Sequence, residues 1–342
     1  MAGGIATVLR RKLQQIGGDM RYATGSILAA ASFLSILCAH AAEPQYPARP
    51  IRIIVPFAPG AATDTIARLI GAKLTETWGQ QVVVDNRGGA GGNIGMGIAA
   101  NAPGDGYTIL FVSSSLMVNP GLYDKIPYDP YKSFIPISNL SHSPHVFFAH
   151  ASQPVKSLGD LIDAVKKEPK KYSVATPGIG TVPHLSARLL AIDAKLDLVT
   201  VPYGGGGPSL AAVVGNQLPF GCQAVPPVTP HIKAGRVRAL AFTSEQRTSM
   251  FPDVPTMAEL GFKGHESVTI TGMLVPAGTP APIVKKLFAE AKRIMHLPDV
   301  TAKVLDMGAD VIVSTPEQFT TQIKHEVVKW TKVIKASNIK VE

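Results

Sequence analysis

This chain of 342 residues has few of the residues on which disulfide frameworks and common catalytic sites depend. It has two cysteines, and one of them, Cys38, lies in an N-terminal export segment, so the remainder cannot form an internal disulfide. The sequence contains no Gly-Lys dipeptide, no G-x-S-x-G and no H-E-x-x-H. These absences exclude a Walker A loop, an α/β-hydrolase elbow and a zincin helix. Cys222, within an apolar run, is interpreted as buried packing rather than as a nucleophile.

The first 41 residues have the pattern of a secretory signal. Basic residues precede an apolar run from Ile27 to Leu37, and Ala39-His40-Ala41 follows it as a cleavage site. The run is too short for a membrane span, which needs about 20 residues. We therefore expect export to the periplasm with cleavage near Ala41, and Met20 is an alternative start.

The net charge does not predict nucleic-acid binding. Removing residues 1–41 takes away four basic residues and one acidic residue, so the formal charge falls from +9 to +6. The remaining lysines are scattered over helices without interleaved aromatic residues, which is typical of solvated helix faces.

Beyond residue 41, short β-type runs alternate with amphipathic helical segments, which predicts an α/β fold with largely parallel sheets. Helix starts are predicted at Thr63 as a cap, at Ser157 before Leu158–Lys167, at Pro183 and at Thr315. The predicted strands are 51–57, 81–85, 107–113, 172–176, 198–203, 218–224, 237–243, 268–275 and 310–314.

Two proline- and glycine-rich stretches, 126–145 and 251–265, bound a middle segment of the chain. A segment inserted between two halves of another lobe gives two crossings, which is a hinge architecture. We therefore expect lobe 1 to comprise residues 42–145 and 268–342, and lobe 2 to comprise residues 146–267.

Three β-type runs end in glycine-rich loops that open into helices. The loops lie at 53–64, 172–181 and 199–208, and none carries lysine or arginine. Glycine lets the backbone approach a ligand, and a helix N-terminus offers unpaired N–H groups to an anion. If the loops face one cleft, they predict a site for a small carboxylate that the main chain holds.

Other candidate sites are weaker. The run Gly88–Gly95 lacks dinucleotide-binding spacing and is interpreted as a structural loop. His142 and His145 have metal-like spacing but are predicted to lie in a loop without nearby ligands, so no metal is expected. Asp64 has two open roles, compensation of a helix dipole or contact with a ligand group. If it lies in a pocket, we expect its carboxylate to point at water or at a second ligand group.

An ordered set of motifs across the chain beyond residue 41 resembles the Bug proteins, the TctC-like substrate-binding components of tripartite tricarboxylate transporters. These motifs include Val55-Pro56-Phe57-x-Pro59-Gly60-x-x-x-Asp64, Asn86-Arg87-x-Gly89-Ala90-Gly91-Gly92, Gly178-x-Gly180-x-x-x-His184, Pro202-Tyr203-x-Gly205 and Pro252-Asp253-Val254-Pro255-Thr256.

The resemblance implies a two-lobed periplasmic-binding-protein fold of the type II, Venus-flytrap kind. It closes on a small carboxylated metabolite without a cofactor and delivers it to membrane permease subunits. The implied ligand-binding residues are Phe57, Gly60, Ala61, Asp64, Ser113, Ser114, Asn119, Thr176, Gly180, Thr181, His184, Tyr203 and Gly205. Two departures bear on the substrate. Ala61 replaces a second glycine of the family, and Ile270 replaces an aromatic residue.

Two other functions stay open. A signalling receptor would bind the same ligand but contact a membrane sensor kinase. An enzyme would use Ser113 as nucleophile and His184 as base, although no activated nucleophile is visible. We expect a monomeric binding protein, not an enzyme. From the sequence, Asp64→Ala or Thr181→Val is expected to weaken binding while the fold melts normally.

Overall fold

The computed structural model describes residues 46–60, 62–248 and 250–341. The chain divides into two units, residues 1–48 and 49–342, and every element below belongs to the second unit. The signal segment with Met20 and the cleavage site near Ala41, and the proposed ligand contact Ala61, lie outside the described residues.

Ten strands alternate with helices in the described part of the chain. The strands are β1 (Ile51–Val55), β2 (Val82–Asn86), β3 (Thr108–Val112), β4 (Phe134–His150), β5 (Ser173–Thr176), β6 (Val199–Pro202), β7 (Phe220–Ala224), β8 (Val237–Phe242), β9 (Val268–Pro276) and β10 (Asp310–Val311). The α-helices are α1 (Ala62–Trp78), α2 (Asn93–Ala100), α3 (Ser115–Leu122), α4 (Leu158–Lys167), α5 (Val182–Asp193), α6 (Gly206–Val214), α7 (Val225–Lys233), α8 (Ala281–Met295), α9 (Pro298–Asp306) and α10 (Pro316–Ala336). A 3-10 helix, Ala90–Gly92, precedes α2.

The strands follow the order β2-β1-β3-β9-β4-β7-β5-β6, and β8 and β10 also pair with β4. β1 pairs in parallel with β2 and β3, and β5 pairs in parallel with β6 and β7. All other pairings are antiparallel, and each involves β4 or β9. The prediction of largely parallel sheets was therefore wrong at the centre, where these two strands run against their neighbours.

β4 links the two groups of strands. Its first part, from Phe134 to Pro144, pairs with β9, and its second part, from His145, pairs with β7 and β8. The prediction of a loop at 141–145 was wrong. Pro136 and Pro144 are accommodated in the strand, and the pairing with β9 shifts register just after Pro136, where a bulge relaxes the demand for a regular ladder.

His142 and His145 of this strand are separate from one another. The two side chains do not share a partner: His142 Nε2 lies 3.3 Å from Asp310 Oδ2, whereas His145 Nε2 lies 3.0 Å from Thr269 Oγ1. Residues three apart on a strand point to opposite faces, so the pair lacks the geometry of a shared metal site.

Helix starts follow local capping chemistry. Ser157 and Thr315 each form a capping box, with Asp160 and Gln318 respectively, at the positions predicted from the sequence. α5 begins with Pro183 in its first turn, also as predicted. Thr63 was wrongly predicted as a cap, because α1 already begins at Ala62.

Buried apolar side chains cover both faces of the sheet. The predicted stripe of α10 (Phe319, Ile323, Val327, Trp330 and Ile334) is buried throughout. Trp330 and Ile334 pack in one cluster with Val182 and Leu185 of α5. Each large side chain buried in this way contributes about 1.5–3 kcal/mol to folding. Cys222 is fully buried, as predicted, and burial raises the pKa of its thiol.

Across the described residues, no helix combines the length and the apolar character that crossing a membrane would require.

Candidate functional site

A cavity of about 460 Å³ lies where loops follow the ends of several strands. Phe57 enters it from the loop after β1, and Ser113 from the loop after β3. Gly180 and Thr181 enter from the loop after β5, and Gly206 enters as the first residue of α6, which follows β6. The three glycine-rich loops that the sequence singled out therefore each contribute to one cavity.

Four helices begin at the cavity wall. α3, α5, α6 and α7 each place residues of their first turn, or the residue just before it, on the lining. Ser114 and Ser115 belong to the start of α3, and Ala224 directly precedes α7. The N-terminus of a helix presents unpaired N–H groups and the positive end of its dipole. Several such ends at one cavity favour an anion. The first turns of α5, α6 and α7 contain proline, which has no N–H, so the donors there come from the remaining residues of each turn.

Among the described residues that line this cavity, none is Lys, Arg, Asp or Glu. The walls combine apolar side chains, such as Val118, Leu122 and Ile179, with hydroxyl and amide groups. An anion placed here would thus take its hydrogen bonds from main-chain N–H groups and neutral side chains.

Ser113 and Ser114, which follow β3, differ in how strongly their hydroxyl groups are hydrogen-bonded within the protein. Ser114 Oγ donates to the carbonyl of Val268 at 3.1 Å and accepts from the N–H of Ile270 at 3.1 Å. Its hydroxyl joins the start of α3 to β9. Ser113 Oγ lies 3.3 Å from Ser115 Oγ. This weaker contact leaves Ser113 the better available hydroxyl.

Asn119 supports the wall rather than offering a free amide. Its Nδ2 donates to the carbonyl of Gly91 at 3.0 Å and to Asn93 Oδ1 at 2.8 Å. Both partners belong to the segment Gly88–Gly95, in which Gly89, Gly91 and Gly92 have positive φ. This segment closes one side of the cavity, in keeping with a structural loop.

Asp64 does not line the cavity. Its side chain is 3% exposed, and its carboxylate accepts hydrogen bonds from the N–H of Gly60 at 2.9 Å, from Arg68 at 3.0 Å and from Asn86 at 2.8 Å. The expectation that this carboxylate points at water or ligand does not hold in this structure. Asp64 instead neutralises the start of α1 and uses the N–H of Gly60.

His184 is also a buried supporting residue. The N–H of Gly180 donates to His184 Nδ1 at 3.2 Å, so the ring proton is assigned to Nε2, which lies 3.3 Å from Thr200 Oγ1. Burial, together with the charge of Arg188, lowers the pKa of His184 to about 4. The ring is neutral at pH 7 and holds the backbone of Gly180 in place.

Ser113 and His184 have different hydrogen-bond partners, Ser115 for the first and Gly180 and Thr200 for the second. The nucleophile and base of the enzyme alternative are therefore not paired with each other.

Four other predicted residues, Gly60, Thr176, Tyr203 and Gly205, do not line the cavity. The carbonyl of Thr176 accepts from the N–H of Tyr203 at 2.9 Å, which joins two of the glycine-rich loops. Thr176 Oγ1 is buried without a hydrogen-bond partner among the described residues. Gly205 has a φ of 147° and directly precedes α6.

The structure adds lining residues that the sequence did not indicate. Gln223, Ala224 and Pro227 come from the end of β7 and the start of α7, and Thr269 comes from β9. α7 has the sequence Val225-Pro-Pro-Val-Thr-Pro at its start. Because proline is unusual inside a helix, hydrophobic periodicity does not predict this helix. The sequence feature that could have indicated this part of the wall is Gln223, an uncharged polar residue near the end of a strand.

A larger groove of about 1010 Å³ shares no lining residue with this cavity. Its charged side chains have both signs, and two of them, Lys329 and Glu326, form an ion pair at 3.8 Å. Ile270 lines this groove, whereas its neighbour Thr269 lines the smaller cavity, because successive residues of a strand face opposite sides.

The fold, with a cavity whose described lining residues are uncharged, is that of a solute-binding protein of the periplasmic-binding-protein class. The model of the tripartite tricarboxylate transporter family receptor matches residues 66–339. The chain therefore belongs to this family, and the resemblance found in the sequence is confirmed.

Three known proteins illustrate the similarity. BugT of Bordetella pertussis is 34% identical over 299 residues, covering 87% of this chain and 92% of BugT. A protein of R. palustris solved with adipate is 31% identical, with a TM-score of 0.73 over 86% of this chain and 100% of its own. MatC from Rhodopseudomonas palustris, solved with bound malate, is 33% identical, with a TM-score of 0.70 over 84% of this chain and 100% of its own.

Proposed function

We propose that this chain is an exported receptor that captures a small organic acid in the 460 Å³ cavity and delivers it to the permease subunits of a tripartite transporter. The convergence of four helix N-termini on a cavity whose described lining residues carry no charge supports the proposal. Main-chain N–H groups stabilise a carboxylate there without a lysine or arginine. Adipate and malate in the two related structures are acids of a size that suits the cavity.

The proposed ligand contacts are Phe57, Ser113, Gly180 and Thr181. Ser114 and Asn119 also line the cavity, but the Ser114 hydroxyl and the Asn119 N–H groups already bond within the protein, so we assign them a supporting role. The other proposed supporting residues are Asp64 and His184, which hold Gly60 and Gly180 through hydrogen bonds. These supports fix the loops before the ligand arrives, which lowers the entropy cost of binding.

The proposed lobes are residues 42–145 with 268–342, and residues 146–267. Phe57 and Ser113 belong to the first lobe, whereas Gly180 and Gly206 belong to the second, and all four line the cavity. A ligand that contacts both lobes favours the closed arrangement by its difference in affinity for the two states. Motion at the crossing strands β4 and β9 would open it.

Calorimetry on the purified protein with adipate, malate, succinate, citrate and matched amines tests the proposed binding. Acids are expected to bind and to be recovered unchanged, and amines are expected not to bind. An acid at 100 times its dissociation constant would stabilise the fold by about 2.7 kcal/mol. Failure of every acid in ligand-free protein, or tighter binding of the amines, would contradict the proposal.

The proposed export has its own test. Expression of the full chain in a Gram-negative host is expected to give a periplasmic protein whose N-terminal residue lies near position 42. Retention of residues 1–41 in a cytoplasmic protein would contradict it.

A further inference from the structure

Gln223 is a buried polar residue for which the motifs of the sequence give no role. It lies near the end of β7, opposite Val146 of β4, and it is 2% exposed. It also lines the 460 Å³ cavity, next to Gly206 at the start of α6. A long polar side chain in such a place needs partners for both ends of its amide.

Within the described part of the chain, only one end of this amide has a partner. Ser209 Oγ donates to Gln223 Oε1 at 2.8 Å, whereas Gln223 Nε2 has no hydrogen-bond partner among the residues that the structure describes. A buried N–H donor without an acceptor costs free energy, which an incoming acceptor recovers. The amide thus favours ligands that bring an oxygen acceptor to this wall.

Ser209 determines which end of the Gln223 amide has no hydrogen-bond partner among the described residues. Its hydroxyl has a single proton and two acceptors within reach, Gln223 Oε1 at 2.8 Å and the carbonyl of Gly206 at 3.0 Å. With the serine proton assigned to the shorter contact, Oε1 stays at the serine, and Nε2 is the end without a partner among the described residues. Nε2 is buried in this structure, so a ligand oxygen reaches it when the amide turns towards the cavity on binding. Ser209 is 2% exposed, so water does not compete for this contact.

The apolar part of the cavity wall also affects which acids bind. Val118, Leu122 and Val182 line the same cavity with apolar groups. These groups accept a hydrocarbon segment of a ligand but give no polar group a partner. An acid whose remote end is a methyl group therefore leaves Nε2 unpaired, whereas one with a second oxygen satisfies it.

We propose that Gln223 determines specificity by donating its Nε2–H to a second oxygen acceptor of the bound acid, and that Ser209 is the positioning residue for this contact. The ligand class is an acid with a second carboxylate or carbonyl oxygen. This inference rests on the proposed function, since it requires that an acid occupies the cavity.

The test compares acids of equal length that differ at one end: adipate with hexanoate, and succinate with butyrate. The measured quantity is the ratio of the dissociation constants within each pair, obtained by calorimetry. The wild-type protein is expected to prefer the better-fitting diacid over its monoacid by about tenfold or more, because the monoacid leaves a buried donor unpaired.

Gln223→Met keeps the length of the side chain and removes the donor, and Ser209 keeps the Gly206 carbonyl as an acceptor. This variant is expected to bring the ratio to within about threefold, mainly by weakening the diacid. Gln223→Glu places an acceptor opposite the ligand oxygen and is expected to weaken the diacid further. Ser209→Ala frees the amide and is expected to give an intermediate ratio. Gln217→Met, at an exposed glutamine outside the cavity, is the matched control and is expected to keep the wild-type ratio.

The outcomes separate this inference from the function on which it rests. A folded Gln223→Met or Gln223→Glu protein that keeps the wild-type ratio would overturn the role of Gln223, as would a wild type that binds diacids and monoacids equally well. In either case the capture of acids would stand. If no acid of either series binds the wild type, the proposed function fails, and the inference fails with it.

Discussion

Gly180 packs directly against Leu122 at the rim of the cavity. Gly180 has a φ of 72°, and a Cβ atom at this position would overlap Leu122 Cδ2. Leu122 is the last residue of α3, and Gly180 lies in the loop before α5. Their contact joins segments on the two sides of the proposed cleft. Only glycine satisfies both the backbone conformation and the space.

Gly180→Ala is expected to weaken acid binding by about tenfold or more, because the loop must move away from Leu122 and the N–H held by His184 moves with it. The left-handed backbone adds a stability cost of about 1 kcal/mol. Calorimetry and thermal unfolding measure the two effects. Gly204→Ala is the control, since its Cβ would meet no atom within 4 Å. Equal binding by both variants would show that the packing of Gly180 does not matter.

Thr181→Val is expected to weaken acid binding by about three- to tenfold, because the side chain loses its hydrogen bond to the carbonyl of Gly178. Thr181 Oγ1 donates to this carbonyl at 2.8 Å, which fixes the turn that carries Gly180. Thr181→Ser keeps the hydroxyl and is expected to bind nearly as wild type. Calorimetry on the two variants checks this, and a loss of binding in Thr181→Ser would point to the methyl group instead.

Asp64→Asn is expected to lower the free energy of unfolding at pH 7 by about 1–3 kcal/mol. Burial by itself raises the pKa of Asp64, but the hydrogen bonds from Arg68, Gly60 and Asn86 outweigh it and hold the pKa below 3.8. A depressed carboxyl pKa adds stability above pH 3.8, and this stability is lost as the pH falls through the folded-state pKa.

Denaturant unfolding of wild type and Asp64→Asn between pH 7 and pH 3 measures this difference, which is expected to shrink towards the acid end. The expectation from sequence, normal melting with weakened binding, is replaced by a loss of stability. Asp163→Asn, at an exposed position on α4, is the matched control. Unchanged unfolding of Asp64→Asn at pH 7 would show that its three hydrogen bonds contribute nothing.

His184→Gln is expected to reduce the loss of unfolding free energy that the wild type shows on acidification from pH 6.5 to pH 4. The folded-state pKa of about 4 lies below the ordinary 6.5, so between these values the unfolded chain binds a proton that the folded protein does not. Stability is therefore complete above pH 6.5 and falls on acidification towards pH 4, by about 1.4 kcal/mol per pH unit for one proton.

Thermal and denaturant unfolding from pH 7.5 to pH 4 measure this slope in wild type and His184→Gln. The slope is expected to decrease by about one proton in the variant. His325→Gln replaces a histidine that is 71% exposed and controls for the loss of an imidazole as such. If the stability of wild type and of His184→Gln depends on pH in the same way, the proposal that the His184 ring is buried and neutral is wrong.

Many local features of the fold were predictable from sequence because their causes lie within a few residues. The capping boxes at Ser157 and Thr315 form between residues three positions apart, and the stripe of α10 follows from helical periodicity. β4 was missed because Pro136 and Pro144 usually interrupt strands. Its antiparallel partners, which lie far away in sequence, accommodate both prolines.

The sequence by itself determined the order of most strands and helices, the family, and the absence of lysine and arginine from the three glycine-rich loops. Tertiary structure decided which groups of those loops remain available to a ligand. The Asp64 carboxylate bonds to Arg68 and Asn86, and the Ser114 hydroxyl bonds to β9. Gln223 Nε2 is buried and has no partner among the described residues. A hydrogen bond depends on distances of about 3 Å between groups that the chain order separates widely, and only the packing of the sheet fixes those distances.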